Sequence, residues 1–531
     1  MNEFRVDFQP VGRRGSIRPG QTLLEAAQAA GVGLASVCGG AGTCEACRVR
    51  VLTGRLSAPT PTEEAALGAP ALAAGWRLAC QAEALSDVSL HIPPESLTAP
   101  QRLQTEGQET DVVPEPVVGL PGAYGLAVDI GTTKLAAYLV ELASGRTVAK
   151  AAAMNPQIAW GEDVVSRIAY ASRGAENTRR LQLALMDALN GLLEQMCAEA
   201  HVSRQNVLDA VLVGNTAMHH LAAGLPVEQL GRAPFAPATT EPLTLPADRL
   251  GLALGPGAQV YLPPVIAGYV GSDHLAMLLT LGRRAAPVIA LDIGTNTEIA
   301  LLSQAGILCC SCASGPAFEG AHIKEGMRAA PGAIERVRWS DGQFLWQTIE
   351  NQPPVGICGS GILDAIAALL EAGLVRSNGQ LLPGSEVTLV PAAQTGLGRD
   401  LVITRQDVHE IQLAKAAIRA GTEILLRRAG LTAADLDEFL VAGAFGTYLD
   451  LHSAVRVGMF PSLPPEKFQQ IGNAAGAGAR QMLVSVKKRQ EAETLARQLG
   501  YVELAIDREF TETFMKNLSV GHACVGHAYE N

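Results

Sequence analysis

Two stretches of the chain repeat one pattern. GLAVDIGTTKLAAYLVEL (125–142) and VIALDIGTNTEIALLS (288–303) each carry an apolar strand into Asp-Ile-Gly-Thr and then into a second apolar strand. Their separation is far too long for a solenoid, so the repeat reads better as a duplicated lobe within an α/β region. A strand ending in Asp, followed by a Gly-Thr turn, sets a carboxylate beside a curl of backbone N–H donors. Those donors can hold phosphate oxygens, and the carboxylate can hold Mg²⁺ directly or through water. One copy can end any strand, but two on facing lobes can clasp one triphosphate. The candidates are Asp129, Gly131, Thr132, Thr133 and Lys134 in the first copy, and Asp292, Gly294, Thr295 and Asn296 in the second.

Further glycine turns follow in order. ICGSGILDAI (357–366) contributes Gly359, Ser360 and Gly361, and FLVAGAFGTYL (439–449) contributes Gly443, Ala444, Phe445 and Gly446. This order resembles the ATPase superfamily of acetate and sugar kinases, heat-shock chaperones and actin. The resemblance implies ribonuclease-H-like lobes of an actin-like ATPase over 124–531, divided roughly into 124–286 and 287–531. It also implies that the Asp-Gly turns bind phosphates and that the later glycine turn packs against adenosine. Gly-Ala stands where Gly-Gly is commoner, and IGNAAGAGA (471–479) offers a further wall for the nucleotide.

Near the N-terminus, ASVCGGAGTCEACRVRV (35–51) holds three cysteines spaced Cys38-x5-Cys44-x2-Cys47, with Cys80 as a distant fourth. Four thiolates, three on one glycine-rich loop, make the ferredoxin arrangement for one [2Fe–2S] cluster. Glycines let such a loop curl around the sulfides. The alternative, a structural zinc site, more naturally uses two Cys-x2-Cys pairs, and only one is present. Around the loop, FRVDF reads as a strand with Phe4, Val6 and Phe8 on one face, followed by a short strand near Ser16–Arg18. Thr22 and Glu25 form a capping box for a helix that Gly31 ends. The strand RVRV, a Pro/Thr-rich turn, WRLACQA and the strand VSLHI complete a β-grasp order over 1–92.

Residues 93–123 are rich in proline and polar residues and lack periodicity, which predicts a linker with a flexible reach of roughly 30 Å. The 531-residue chain is 48% hydrophobic and 18% charged, as in folded globular proteins. A net charge of −11 without a basic run argues against nucleic acid as a main partner. No secretory signal or bilayer-length apolar run is visible, so a cytoplasmic protein with reduced cysteines and no membrane partner is expected.

A ferredoxin domain joined to this ATPase fold resembles the reductive activators of corrinoid proteins. NPQIAWGEDVVSRI (155–168), LVGNTAMHHLAAGL (212–225) and SGPAFEGAHIKEGMRAAPGAIE (314–335) are similar to that family's pattern. The resemblance implies ATP-dependent return of a Co(II) corrinoid to Co(I), using one [2Fe–2S] cluster, ATP and Mg²⁺. It implies a corrinoid-protein partner and an upstream low-potential electron donor, and leaves a homodimer open. A plant-type cluster sits near about −400 mV, and the family's cobalt couple is lower still, so the transfer runs uphill and needs ATP. Two other readings remain: an ATP-driven donor to another low-potential enzyme, and a redox-sensing, nucleotide-dependent regulator.

Other conspicuous residues read as structural. Cys309, Cys310 and Cys312 follow a strand and suit core packing, as do Cys358 and Cys197. His522, Cys524 and His527 lie in the tail without further ligands. His219 and His220 sit on an apolar helix, where an inward-facing core role competes with contact to a corrinoid partner.

Overall fold

The computed structural model describes residues 3–9, 11–34, 40–42, 47–93, 96–97, 112–161, 163–294, 296–320 and 322–521. Strands β1 (Phe4–Gln9), β2 (Arg13–Ile17), β3 (Arg48–Thr53), β4 (Trp76–Leu78) and β5 (Val88–His91) form the first sheet, in the order β2-β1-β5-β3-β4. β1 pairs antiparallel with β2 and parallel with β5. Alternation buries Val6 and Phe8 with Ile17, Leu23, Val49, Leu78 and Leu90. Helix α1 (Leu23–Ala29) starts at the Thr22–Glu25 capping box.

Two elements differ from the sequence reading. β2 begins at Arg13 and ends at Ile17, because its register is set by pairing Phe8 with Arg13 and Phe4 with Ile17. The Pro/Thr-rich turn leads into a helix, α2 (Pro61–Ala73), with a Thr60–Glu63 capping box and Pro61 in its first turn. Gly68, at φ +72°, and Pro70 interrupt it. The buried Glu63 carboxylate takes two bonds from Arg77, each 2.8 Å, and so holds α2 to β4.

β6 (Tyr124–Ile130), β7 (Lys134–Glu141), β8 (Thr147–Met154), β9 (Val207–Gly214), β10 (Leu243–Pro246) and β11 (Gln259–Leu262) form the second sheet, in the order β10-β11-β9-β6-β7-β8. The third sheet contains β12 (Val288–Ile293), β13 (Thr297–Ser303) and β14 (Gly306–Cys312). Strands Glu438–Ala442 and Phe468–Gly472 lie beyond β12, and Gly500–Tyr501 lies beyond β14. β6 and β12 occupy the same place, each with an antiparallel meander on one side and parallel strands on the other. The duplicated Asp-Ile-Gly-Thr turns therefore leave equivalent strand ends.

The lobes meet along helices Ser272–Leu281 and Ala474–Val484. A Cβ at Gly478 would lie 2.1 Å from the Ala276 carbonyl oxygen, and one at Gly476 would lie 2.8 Å from the Tyr138 ring. Small residues in IGNAAGAGA thus permit a close crossing, and only Asn473 of that stretch faces the cleft.

The first domain docks on the rest of the chain. The buried Arg13 guanidinium donates to the carbonyls of Ala30, Glu325, Gly326 and Val355. The Arg328 N–H donates to the Val11 carbonyl at 3.0 Å. The Arg50 guanidinium stacks over Trp160 at 5.3 Å. Glu115, in the proline-rich stretch, is held by backbone bonds to residues 484 and 486 and by Lys487 at 2.9 Å.

Candidate functional site: the interlobe cleft and the cysteine loop

One cleft gathers residues from both lobes. Asp129, Gly131, Thr132, Thr133 and Lys134 line it from the first lobe. Asp292, Gly294, Asn296, Gly359, Ser360, Gly443 and Phe445 line it from the second. Gly361 and Gly446 lie outside the lining and serve close packing instead. Their added Cβ atoms would lie 2.1 Å from the Ile334 oxygen and 2.8 Å from Val441 Cγ1. Ala444 belongs to the short helix Gly443–Tyr448, and Thr295 lies outside the described residues.

Local bonds hold the first turn. Asn155 Nδ2 donates to the Gly131 carbonyl at 2.8 Å, and its N–H donates to that of Thr133 at 2.9 Å. Buried Arg167 donates to the Thr132 carbonyl at 2.5 Å, and Asn215 Nδ2 donates to Thr132 Oγ1 at 2.9 Å. The segments 155–168 and 212–225 thus shape a backbone turn from behind. In the second turn, Ser314 Oγ donates to the Gly294 carbonyl at 3.2 Å and bonds Thr297 Oγ1 at 2.9 Å.

The carboxylates set the electrostatics. Asp129 faces Ala136 across β6–β7, whereas Asp292 faces Glu298 across β12–β13. Asn473 Nδ2 donates to Asp129 Oδ2 at 3.0 Å. Asp273 lines the same cleft from helix Ser272–Leu281. That helix is tied to β9 by Ser272 Oγ, which accepts from Gly214 N at 3.1 Å and donates to Gly214 O at 3.2 Å. Burial, and then repulsion from Asp292, pushes Asp129 up to about 7, and burial pushes Asp292 up to about 6. Burial, reinforced by neighbouring carboxylates, holds Asp273 and Glu298 well above the usual range. Acidic groups that resist ionisation together become stable anions when a cation joins them.

On the opposite wall, Thr133 Oγ1 donates to Glu319 Oε2 at 2.9 Å across the cleft, and Arg328 Nη2 lies 3.5 Å from the same oxygen. Phe318 and Phe445 stack with ring centroids 4.7 Å apart. Asp273, Glu298, Glu319, Arg328 and Asn473 are cleft residues that the motif reading did not single out. Glu298 was nearest to hand, since it adjoins the second turn. Asp273 lies in an unrepeated segment and carries no local signal.

In the first domain, Cys47 and Cys80 are both buried. The Ala79 N–H donates to the Cys47 carbonyl at 3.0 Å, so one backbone bond joins the segments carrying them. Gly42, at φ +77°, leaves no room for a side chain: its Cβ would lie 2.7 Å from Thr62 Cγ2. Adjoining cysteine-bearing segments beside a glycine-restricted loop fit thiolate ligation of an iron–sulfur cluster. Cys38 and Cys44 lie outside the described residues.

The remaining conspicuous residues face inward. Cys309, Cys310 and Cys312 are buried in β14, and burial raises all three thiols. Cys197 and Cys358 are buried too, Cys358 against the cleft. His219 and His220 are 1% and 0% exposed, which withdraws them from direct contact with a partner. The tail residues His522, Cys524 and His527 lie outside the described residues.

Comparison with known proteins bears on all three parts. Residues 6–85 match the 2Fe-2S iron-sulfur cluster binding domain, 124–284 the RACo middle region, and 286–528 the C-terminal ASKHA domain of RACo. The chain is 36% identical over 417 residues to the corrinoid activation enzyme RamQ of Eubacterium limosum, covering 75% of this chain and 70% of RamQ. It is 26% identical to the [Co(II) methylated amine-specific corrinoid protein] reductase of Methanosarcina barkeri, over 75% of this chain and 77% of that protein. A solved reductive activator for corrinoid, iron-sulfur protein superposes with a TM-score of 0.69 at 30% identity, covering 98% of this chain and 99% of that one. The chain therefore belongs to the RACo family of reductive activators, with a 2Fe-2S domain ahead of a middle region and an ASKHA domain.

Proposed function

We propose that this protein performs ATP-dependent reductive activation of a corrinoid protein, passing one electron from its N-terminal domain to return Co(II) to Co(I). The carrying observation is the cleft, where equivalent strand ends of two lobes bring Asp129 and Asp292 together with both glycine turns. Backbone N–H groups of these turns and Lys134 would receive the phosphates of ATP. Asp129 and Asp292 would hold Mg²⁺, directly or through water, because crowded oxygen donors suit a hard dication. Asp273 and Glu298 would add negative charge around it. Phe445 and Gly443 would border the adenosine.

A [2Fe–2S] cluster held by Cys38, Cys44, Cys47 and Cys80 would supply electrons singly at low potential. An upstream low-potential donor would return the domain to its reduced state. Docking through Arg13 and Arg328 supports communication between the domains, because Arg328 both lines the nucleotide cleft and bonds Val11.

The test mixes reduced protein with a Co(II) corrinoid protein from its own pathway and follows cobalt absorption. MgATP should produce Co(I), and its omission should leave little. If corrinoid partners stay at Co(II) with MgATP present, the activase reading fails.

A further inference from the structure

Gln81 touches both segments that carry the cysteine ligands. Its Nε2 donates to the Gly40 carbonyl at 2.8 Å and lies 3.3 Å from the Cys80 carbonyl and 3.7 Å from Cys80 Sγ. A primary amide has two N–H groups. One serves Gly40, on the loop between Cys38 and Cys44, and the other faces the oxygen and sulfur of Cys80. The side chain is held in place. A Cβ at Gly42 would lie 3.1 Å from Gln81 Cγ, and the Gln81 N–H donates to the Leu78 carbonyl at 2.9 Å.

We propose that Gln81 is a positioning residue that sets the reducing power of the first domain by donating an N–H bond to the Cys80 thiolate. This rests on the reading of Cys80 as a cluster ligand. A donor aimed at a ligating sulfur stabilises the more negative, reduced state and so raises the potential. The bond to Gly40 keeps the amide in that orientation by closing the loop against the segment bearing Cys80. Leucine would keep much of the volume but supply neither N–H. Glutamate would replace the donor with negative charge.

Redox titration of the full-length protein, followed by the reduced-cluster EPR signal, tests the assignment. Gln81→Leu should lower the reduced-to-oxidised ratio at a fixed applied potential about threefold, which is ~28 mV for one electron at ~59 mV per tenfold. Gln81→Glu should lower it further. Unchanged potentials in both variants, with normal iron content, would overturn the proposal and leave Gln81 as a loop staple. A second measurement needs no variant. Wild-type protein labelled with ¹⁵N only in glutamine side chains should show ¹⁵N coupling to the reduced cluster by pulsed EPR, and a cluster signal without that coupling overturns the proposal. Absence of any [2Fe–2S] signal in the wild type would instead overturn the ligand reading beneath it.

Discussion

Arg13 and Glu325 meet in a buried ion pair, with Nη2 3.7 Å from Oε2 and the side chains 1% and 2% exposed. One belongs to the cluster domain and the other to the second lobe. Burial lowers the guanidinium to about 10, while Glu325 favours its charged form, so Arg13 remains a cation near neutral pH. Arg399 also grips the Glu325 carboxylate, at 2.7 and 3.0 Å.

Arg13→Ala should detach the cluster domain. The change removes four donated bonds to carbonyls and leaves those acceptors buried if docking persists. Breaking one side of a buried pair costs about 3–5 kcal/mol, although Arg399 would soften the loss at Glu325. Small-angle scattering should show a larger radius of gyration, and proteolysis should release the N-terminal domain faster. An unchanged scattering profile would mean that the other contacts suffice.

Gly443 abuts Asp292, since an added Cβ would sit 2.5 Å from Oδ1, and its φ is +87°. Gly443→Ala should displace that carboxylate, while Asp292→Asn should keep its shape and remove its charge. Each variant should lower ATP hydrolysis by about 10²–10³-fold, the loss expected when a preorganised electrostatic contact is removed. The cluster spectrum should remain unchanged. Near-normal hydrolysis in both would exclude Asp292 from the metal–phosphate complex.

The Asp-Ile-Gly-Thr echo and the Thr22–Glu25 cap were legible because each is a short pattern with a local physical cause. The Thr60–Glu63 cap had the same signal, but neighbouring prolines made it read as a turn. Arg13 and Asp273 acquire their roles from contacts made across the fold, on which local periodicity is silent. His219 and His220 were ambiguous because an apolar helix can face a core or a partner, and only burial decides.

Those histidines should make the protein acid-sensitive. His220 Nε2 accepts from the Ala238 N–H at 3.0 Å, which puts the ring proton on Nδ1, where His219 Nδ1 lies 3.3 Å away. Burial lowers His219 to about 3 and His220 to about 4, so the unfolded chain binds more protons below about 6.5. The stabilisation is present above about 6.5 and is lost as pH falls toward these folded values. Between pH 6.5 and 5 each histidine should withdraw about 2 kcal/mol. Asp129 and Asp292, raised by burial, work in the opposite direction, so the comparison must isolate one site. Relative to wild type, His220→Gln should gain stability as pH falls, because its amide can accept the same bond without titrating. Parallel melting profiles from pH 7.5 to 5 would contradict this.

Glu319 should separate ATP hydrolysis from electron delivery. It accepts from Thr133 at the first glycine turn and faces Arg328, whose backbone holds Val11 of the cluster domain. Phosphate drawing on Thr133 would therefore change the partner of an arginine that touches both sites. Glu319→Gln keeps an acceptor for Thr133 but removes the charge opposite Arg328. Couplings of this kind amount to about 1–3 kcal/mol, or roughly 5–150-fold. Hydrolysis should fall only modestly, whereas Co(I) formed per ATP hydrolysed should fall about tenfold. That ratio, measured on one sample by phosphate release and cobalt absorption, is insensitive to the fraction of active protein. If hydrolysis and Co(I) formation fall in proportion, Glu319 serves the nucleotide site alone and the connection through Arg328 carries no coupling.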